Sequence, residues 1–197
     1  MPRLAVPFEV TTRLLGQTGP VWTFDDGPHS ATTPVLLDWL AERGETATFF
    51  VVGEQARRHP DLIRRIANAG HAVGNHSWSH AMPWRLRAAD QRKEYDRTRQ
   101  LIEDLTGQRC DRVRPPYGMH SPALAGWAAE WDAVVWIWSV MPPDYRDRSP
   151  DSAVLQDIQR TRPGQIVCLH EKLRTVRLLR EWSDRSRRVE ELTTAGR

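Results

Sequence analysis

The sequence predicts an α/β fold built on a parallel sheet. Short apolar runs rich in β-branched and aromatic residues alternate along the 197 residues with segments of helical periodicity, and this alternation is typical of βα units. The composition, with 40% hydrophobic and 27% charged residues, is that of a globular protein, and the length fits one domain. We therefore predict a single domain over residues 1–197.

Six of the apolar runs have the length and composition of buried strands. They are Val21–Phe24, Ala47–Val52, His71–Gly74, Arg112–Arg114, Val134–Trp138 and Gln165–Leu169. No strand is predicted after the last of these runs. One edge of the sheet is therefore expected to be open, covered by another segment, or paired with a second molecule.

Start and stop residues place helices between the strands. Thr33 is suited to cap a helix that has Pro34 in its first position and Gly44 after its end. Pro60-Asp61 opens a second helix that Gly70 closes, because proline fits the first turn and glycine the left-handed residue beyond the last.

Two longer helices follow the same reasoning, and Ser121-Pro122 repeats the start signal between them. The segment from about 88 to 106 is amphipathic, with Gly107 as its stop. Its apolar stripe consists of Tyr95, Thr98, Leu101, Ile102 and Leu105. A final helix is predicted over about 173–192.

Composition argues against several kinds of partner. The net charge is only +3, and arginine pairs such as Arg57-Arg58 lack interleaved aromatics, so no nucleic acid is expected. The apolar runs are of strand length, which predicts neither a membrane span nor a signal peptide. We expect a cytoplasmic protein as it stands, unless an unseen signal exports it. Cys110 and Cys168 lack metal-site spacing and are expected to be free thiols.

Asp26, His76 and His80 are the candidate metal ligands. The two histidines lie four residues apart, which on a helical turn brings both imidazoles to one face. Ser77 stands where a zinc protease carries glutamate, so that reaction is disfavoured. Two histidines and one carboxylate suit a hydrolytic Zn²⁺ site with an open position. Non-haem iron oxygenases use the same ligand set, but the βα alternation argues against them.

Three further residues are candidates for a catalytic role beside such a site: Asp25, Arg114 and Tyr117. Asp25 and Asp26 are adjacent on a strand end, so their side chains point in opposite directions and are expected to have different roles. Arg114 could hold the Asp25 carboxylate, and the stiff loop containing Pro116 could present the Tyr117 N–H to an oxyanion. The alternative is a rigid connector with Arg114 in a surface ion pair.

His170 ends the last apolar run, on the same edge of the sheet. It could protonate a leaving amine, provided that a carboxylate fixes its tautomer, and Asp144 is our candidate for that carboxylate. A buried structural histidine and a solvated aspartate in a proline turn are the alternatives.

Five motifs in this order resemble the polysaccharide deacetylase family. They are Thr23-Phe24-Asp25-Asp26-Gly27-Pro28, His76-Ser77-Trp78-Ser79-His80, Arg114-Pro115-Pro116-Tyr117-Gly118, Trp138 through Tyr145, and Leu169-His170-Glu171. The resemblance runs from about Trp22 to Glu171. It implies a distorted, incomplete (β/α) barrel of about six to seven parallel strands, with a motif-bearing core over about 20–171. The chain departs from the family in that no final strand is predicted after the fifth motif.

The resemblance also implies a role for each motif residue. The base is Asp25, the acid is His170, and Arg114 braces the base. The metal ligands are Asp26, His76 and His80. The resemblance assigns substrate contacts to Tyr117, through its backbone N–H, and to Leu169, which would line an acetyl pocket. Pro116 and Tyr145 are our further substrate-binding candidates. Tyr145 and Trp84 are also candidates for stacking on a sugar ring. Met141, Tyr145 and Glu171 depart from the commoner residues of the family.

We therefore expect metal-dependent removal of acetyl from an N-acetylamino sugar in an oligo- or polysaccharide. Zn²⁺ is the favoured cation, with Co²⁺ or another divalent ion as alternatives. A hydrolase of a non-sugar amide and a catalytically silent carbohydrate-binding relative are the other hypotheses. The sequence specifies neither the sugar, nor the chain length, nor the oligomeric state.

Overall fold

Seven parallel strands form the sheet in the computed structural model, which describes residues 10–195. The strands are β1 Val10–Thr11, β2 Val21–Asp25, β3 Ala47–Val51, β4 Ala72–Asn75, β5 Arg112–Val113, β6 Val134–Trp136 and β7 Ile166–His170. Their spatial order is β1-β6-β5-β4-β3-β2-β7. The six predicted strands are confirmed to within two residues. Strand β1 was not predicted, because two residues are too few to show a pattern.

From β2 onward, each strand is followed by one or two helices, the last strand included. They are α1 Thr33–Arg43, α2 Gly53–Arg58, α3 Pro60–Asn68, α4 Ala88–Thr106, α5 Pro122–Glu130, α6 Asp151–Gln159 and α7 Leu173–Ala195. The predicted bounds of α4 are confirmed, and Gly107 ends it in the left-handed conformation at φ 66°. In α1 the cap position belongs to Thr32, so Thr33 is the first helical residue and not the cap. The short α2 was not predicted.

Alternation along the strands separates the outside of the sheet from its inside. In β7, Val167 and Leu169 join the apolar core against the helices, together with Phe24 of β2. Ile166 packs instead with Phe50 and Trp136 in a separate inner cluster. Because side chains alternate with a period of two, Cys168 and His170 share the inner side with Ile166.

The free edge of β7 is covered by a segment of the same chain. Val140, which follows β6, forms a parallel bridge with Val167, and the Cys168 N–H donates to the Val140 carbonyl at 2.9 Å. The Ser139 N–H donates to Ile166 in the same way. The fold is therefore the distorted, incomplete barrel that was predicted, and no strand follows β7 in the described residues.

The described helices include none that is both long and apolar enough to cross a membrane.

Gly53, at the start of α2, lies so close to neighbouring side chains that a larger residue would not fit, and this can be tested. A Cβ added there would collide with the Trp78 ring and the Thr98 hydroxyl, whereas one added at Gly126 within α5 would meet no atom within 4 Å. We expect Gly53→Ala to lower the free energy of unfolding by about 1–3 kcal/mol, the usual cost of overpacking. Gly126→Ala should raise it by about 0.5–1 kcal/mol. Urea denaturation of both variants checks this, and equal effects would contradict it.

Candidate metal centre and active site

Asp26, His76 and His80 come together at the carboxyl end of the sheet. One donor atom from each lies within 4.8 Å of the others. Asp26 Oδ1 is 3.5 Å from His76 Nε2 and 3.3 Å from His80 Nε2. The same carboxylate oxygen is buried and has no hydrogen-bond partner among the described residues. A divalent cation would satisfy this oxygen, so the three residues fit a metal site.

The protonation of these groups suits a cation. The His76 Nδ1–H donates to the Arg114 carbonyl at 2.7 Å, which leaves Nε2 as the free donor atom. Burial and the neighbouring His76 lower the pKa of His80 and favour its neutral form. Burial alone would raise the pKa of Asp26, but His76, together with His170 and His80, outweighs it and holds that pKa well below its usual range.

Unusual backbone conformations are concentrated around the site. Asp26, Ser77, His80 and Tyr117 have φ between 57° and 73°, a region that residues other than glycine rarely adopt. The His80 N–H donates to the Ser77 hydroxyl at 3.1 Å, and this hydrogen bond helps to hold the backbone conformation of His80. Such strain typically persists only where the surrounding structure enforces it, and it is common at functional sites.

Asp25 lies beside the metal centre and is held by a buried arginine. Arg114 Nη1 donates to Asp25 Oδ1 at 2.7 Å and to the Thr23 hydroxyl at 2.7 Å. The structure therefore rules out the surface ion pair considered for Arg114, which is fully buried. Asp25 Oδ2 is 3.7 Å from His76 Nε2, so this oxygen faces the metal centre while the other is occupied.

His170 and Asp144 form a second pair, in which Asp144 is fully buried and His170 is partly buried. The His170 Nδ1–H donates to Asp144 Oδ1 at 3.0 Å, and its backbone N–H donates to Oδ2 at 2.8 Å. Burial alone would lower the pKa of His170, but the hydrogen bond and charge of Asp144, with Asp25 and Asp26 nearby, outweigh it and raise that pKa. The imidazolium form that can donate a proton is thus favoured.

The start of α7 fixes the loop that carries Asp144. The Thr175 hydroxyl donates to Asp144 Oδ2 at 2.8 Å, and Lys172 Nζ donates to the Tyr145 carbonyl at 2.9 Å. The Tyr145 ring lies 5.5 Å from that of His170. Thr175 was not singled out in the sequence, since only the packing of α7 against the loop reveals its role.

The outer rim of the site is aromatic. The Tyr117 ring packs edge-on against His80, 4.8 Å between centroids, and is half exposed. Pro116 beneath it is buried. Trp84 is 59% exposed, but no contact in the structure connects it with the metal ligands. The positions of Tyr117 and Tyr145 fit a substrate-binding role. Stacking of Trp84 on a sugar ring stays a prediction.

The expectation that Leu169 lines an acetyl pocket is wrong for this structure. Leu169 is fully buried in the core that faces the helices. The inward position on β7 belongs to Cys168, whose Sγ lies 3.3 Å from Asp25 Oδ2. The period of two along the strand, counted from His170, was the sequence signal that could have identified Cys168 instead.

The Glu171 side chain packs against Gly27, in the turn that follows Asp26. It accepts a hydrogen bond from the Thr33 hydroxyl, and a Cβ added at Gly27 would collide with it. Burial, reinforced by the charges of Asp26 and Asp25, raises the pKa of Glu171 to about 8 despite its hydrogen bonds. The protonated, neutral form of Glu171 is therefore favoured at pH 7.

Comparison with known proteins agrees with this geometry. The family model described as polysaccharide deacetylase matches residues 19–136. The chain belongs to the polysaccharide deacetylase family.

Two relatives of the chain are named deacetylases. A peptidoglycan-N-acetylglucosamine deacetylase of Bacillus cereus is 34% identical over 148 residues, which are 75% of this chain and 54% of the relative. A chitooligosaccharide deacetylase of Sinorhizobium fredii is 38% identical over 156 residues, 76% of this chain and 70% of that protein. The chain thus spans about half the length of the first of these relatives.

A solved structure has the same fold. The family 4 carbohydrate esterase from Streptomyces lividans, in complex with acetate, superposes with a TM-score of 0.77 and is 32% identical. The match covers 85% of this chain and 88% of that one.

The neutral state of Glu171 predicts a pH-dependent effect on stability. Between about pH 4.5 and about pH 8 the unfolded chain releases this proton while the folded chain keeps it, so the free energy of unfolding falls as pH rises. Glu171→Gln removes the titration and keeps the shape. We expect the melting temperature of the variant to rise relative to the native chain as pH increases from 5 to 9, measured with a chelator present. A difference that is constant with pH would contradict this.

The pair of His170 and Asp144 predicts a shift in the pH profile. Asp144→Asn removes the charge that raises the pKa of His170, so for a reaction in which His170 supplies the proton the descending limb of kcat/KM should move to lower pH. The rate should fall by about 10² or more, within the usual contribution of a general acid. Asp147→Asn is the matched control, because its side chain in the same loop is 89% exposed. An unchanged limb in Asp144→Asn would refute the assignment.

Proposed function

We propose that this chain hydrolyses the acetamido group of an N-acetylamino sugar in an oligo- or polysaccharide and releases acetate. One observation carries the proposal: beside the metal trio lie two ion pairs, the buried pair of Asp25 with Arg114 and the pair of the buried Asp144 with the partly buried His170. The first pair holds a carboxylate base and the second an imidazolium acid. A base and an acid in different environments beside one cation are what amide hydrolysis requires.

The cation that we propose is Zn²⁺, held by Asp26, His76 and His80, with Co²⁺ or another divalent ion as alternatives. One carboxylate and two imidazoles are donors that suit zinc and leave a position open. When bound, such an ion polarises a carbonyl oxygen and lowers the pKa of its water to about 7.

Asp25 takes the proton of the attacking water in this proposal. Its Oδ1 is occupied by Arg114, so Oδ2, which faces His76, is the oxygen that accepts the proton. The Arg114 guanidinium keeps the carboxylate aimed, because Thr23 and the Ile137 carbonyl fix the guanidinium in turn.

The remaining steps use residues of the rim. The Tyr117 backbone N–H donates to the developing oxyanion, a contact whose loss typically costs about 10²–10³ in rate. His170 then donates its Nε2 proton to the leaving amine, while Asp144 holds Nδ1–H and fixes the tautomer. Pro116, Tyr117 and Tyr145 border the substrate.

The names of the relatives support a sugar substrate, since one is a peptidoglycan-N-acetylglucosamine deacetylase and the other a chitooligosaccharide deacetylase. A non-sugar amide is the closest competing substrate, because the site specifies amide hydrolysis more tightly than the acyl carrier. A catalytically silent carbohydrate-binding protein would be expected to lack the base or a ligand, and this chain retains Asp25, Asp26, His76 and His80.

A substrate panel tests the proposal. Acetate release is measured from N-acetylglucosamine oligomers, peptidoglycan fragments and simple N-acetylated amines, first as purified, then with chelator, then with Zn²⁺ restored. We expect release from the sugars, loss with chelator and recovery with Zn²⁺. Release only from the simple amines would favour the non-sugar amide, and sugar binding without release would favour the silent relative.

Asp25→Asn tests the base. The amide keeps the size of the side chain but cannot accept the proton, so we expect turnover to fall by at least about 10²–10⁴ with the bound metal content unchanged. Metal analysis and the acetate assay measure both. Asp61→Asn, at a side chain that is 95% exposed on α3, is the control and should be unaffected. Full activity in Asp25→Asn would refute the assignment.

A further inference from the structure

Cys168 has no role in the proposed hydrolysis, yet it lies against both the base and the acid. Strands β2 and β7 are neighbours, with Asp25 opposite His170 and Thr23 opposite Cys168. One donor atom from each of Asp25, Cys168 and His170 lies within 4.8 Å of the others. Cys168 Sγ lies 3.3 Å from Asp25 Oδ2.

The donor atoms of this trio are already oriented by other residues. Asp25 Oδ1 is held by Arg114, so Oδ2, which accepts the weak hydrogen bond of the Cys168 thiol, is the oxygen available to a cation. His170 Nδ1–H is held by Asp144, so Nε2 is the free nitrogen. A histidine whose second nitrogen is bound to a carboxylate is the usual arrangement of metal-binding imidazoles. The side chains of Asp25 and Cys168 are buried and already ordered, so binding a cation costs little further side-chain entropy.

We propose that Asp25, Cys168 and His170 form a second, inhibitory site for a thiophilic divalent cation such as Cd²⁺ or excess Zn²⁺. The inhibitory part of this inference rests on the proposed function, while the binding part stands independently of it. A cation on these three groups occupies the oxygen that accepts the water proton and the nitrogen that protonates the amine. Hydrolysis therefore stops even though the metal centre of Asp26, His76 and His80 remains loaded.

Binding at the second site exchanges protons for the cation and involves no redox step. Without the cation, the Cys168 thiol donates its hydrogen to Asp25 Oδ2. Burial and the charge of Asp25 raise the pKa of Cys168 and keep it a thiol. Bonds form from the cation to Sγ, Oδ2 and Nε2, and the protons of the thiol and of the imidazolium pass to solvent. The loss of these protons and the proximity of the first cation make the second site the weaker one.

Sulfur distinguishes the two sites by metal preference. The first trio offers one oxygen and two nitrogens, whereas the second offers oxygen, sulfur and nitrogen. Thiolate ligands favour Cd²⁺ and Zn²⁺, while Mg²⁺ and Mn²⁺ prefer oxygen. Excess Mg²⁺ is therefore a matched control, because it raises ionic strength and divalent charge without binding the thiol.

The experiment loads the protein with one equivalent of Zn²⁺ and then titrates Cd²⁺, Zn²⁺ or Mg²⁺. Acetate release gives the inhibition, equilibrium dialysis with elemental analysis gives the number of bound ions, and Co²⁺ reports a bound thiolate through its near-ultraviolet charge-transfer absorption. The variants are Cys168→Ser and Cys168→Ala. Cys110→Ser is the control, since the sequence contains only these two cysteines and Cys110 is buried elsewhere.

In the native chain we expect inhibition by Cd²⁺ and excess Zn²⁺ but not by Mg²⁺, a second bound equivalent, and the thiolate signal with Co²⁺. In the Cys168 variants the Cd²⁺ concentration for half inhibition, relative to each variant's own rate, should rise at least about tenfold, since losing even an outer partner of a metal costs 10- to 100-fold. The thiolate signal should disappear there and persist in Cys110→Ser.

Inhibition at an unchanged Cd²⁺ concentration in Cys168→Ser, or a single bound equivalent without a thiolate signal in the native chain, would overturn the proposal. If neither Cys168 variant folds, the number of cations bound by the native chain and its Co²⁺ spectrum still test the proposal. If no substrate is hydrolysed at all, the proposed function fails, while the same two binding measurements still test the second site separately.

Discussion

The buried pair of Arg114 and Asp25 is the interaction on which the site depends. Arg114 is a fully buried cation that contacts the Asp25 carboxylate, the Thr23 hydroxyl and the Ile137 carbonyl, with the Phe50 ring 4.1 Å from its guanidinium carbon. Truncating either side chain would leave the other buried without its hydrogen-bond partner and counter-charge, which typically costs several kcal/mol. The pair therefore ties the inner surface of the barrel to the position of the base.

The metal centre is built onto the same arginine. The Arg114 carbonyl orients His76, and its side chain orients Asp25, so one residue aligns both a ligand and the base. Asp144 does the equivalent for His170 through three hydrogen bonds, from two atoms of that residue and from Thr175. Buried and mutually satisfied partners of this kind can maintain the left-handed conformations of Asp26, His80 and Tyr117.

The same packing gives Cys168 its importance. A side chain one position further along β7 lies in the apolar core, whereas Cys168 lies between the base and the acid. The edge of β7 beside it is covered by the bridge between Val140 and Val167. The Cys168 N–H donates to Val140 in this contact, so the thiol is held by the strand and not by a mobile loop.

The sequence by itself determined six of the seven described strands, because hydrophobic periodicity and turn chemistry are local. It also determined the grouping of the site residues, because the carboxyl ends of parallel strands share one edge. These residues are Asp25, Asp26, His76, His80, Arg114, Asp144 and His170. The alternation along β7 was present in the sequence as well, but only the tertiary structure decided that the inward position of Cys168 lies against Asp25. Only the tertiary structure decided that Val140 covers the edge of β7 and that Thr175 supports Asp144. These contacts join residues far apart in the chain, and their partners depend on how strands and helices pack, which no local pattern encodes.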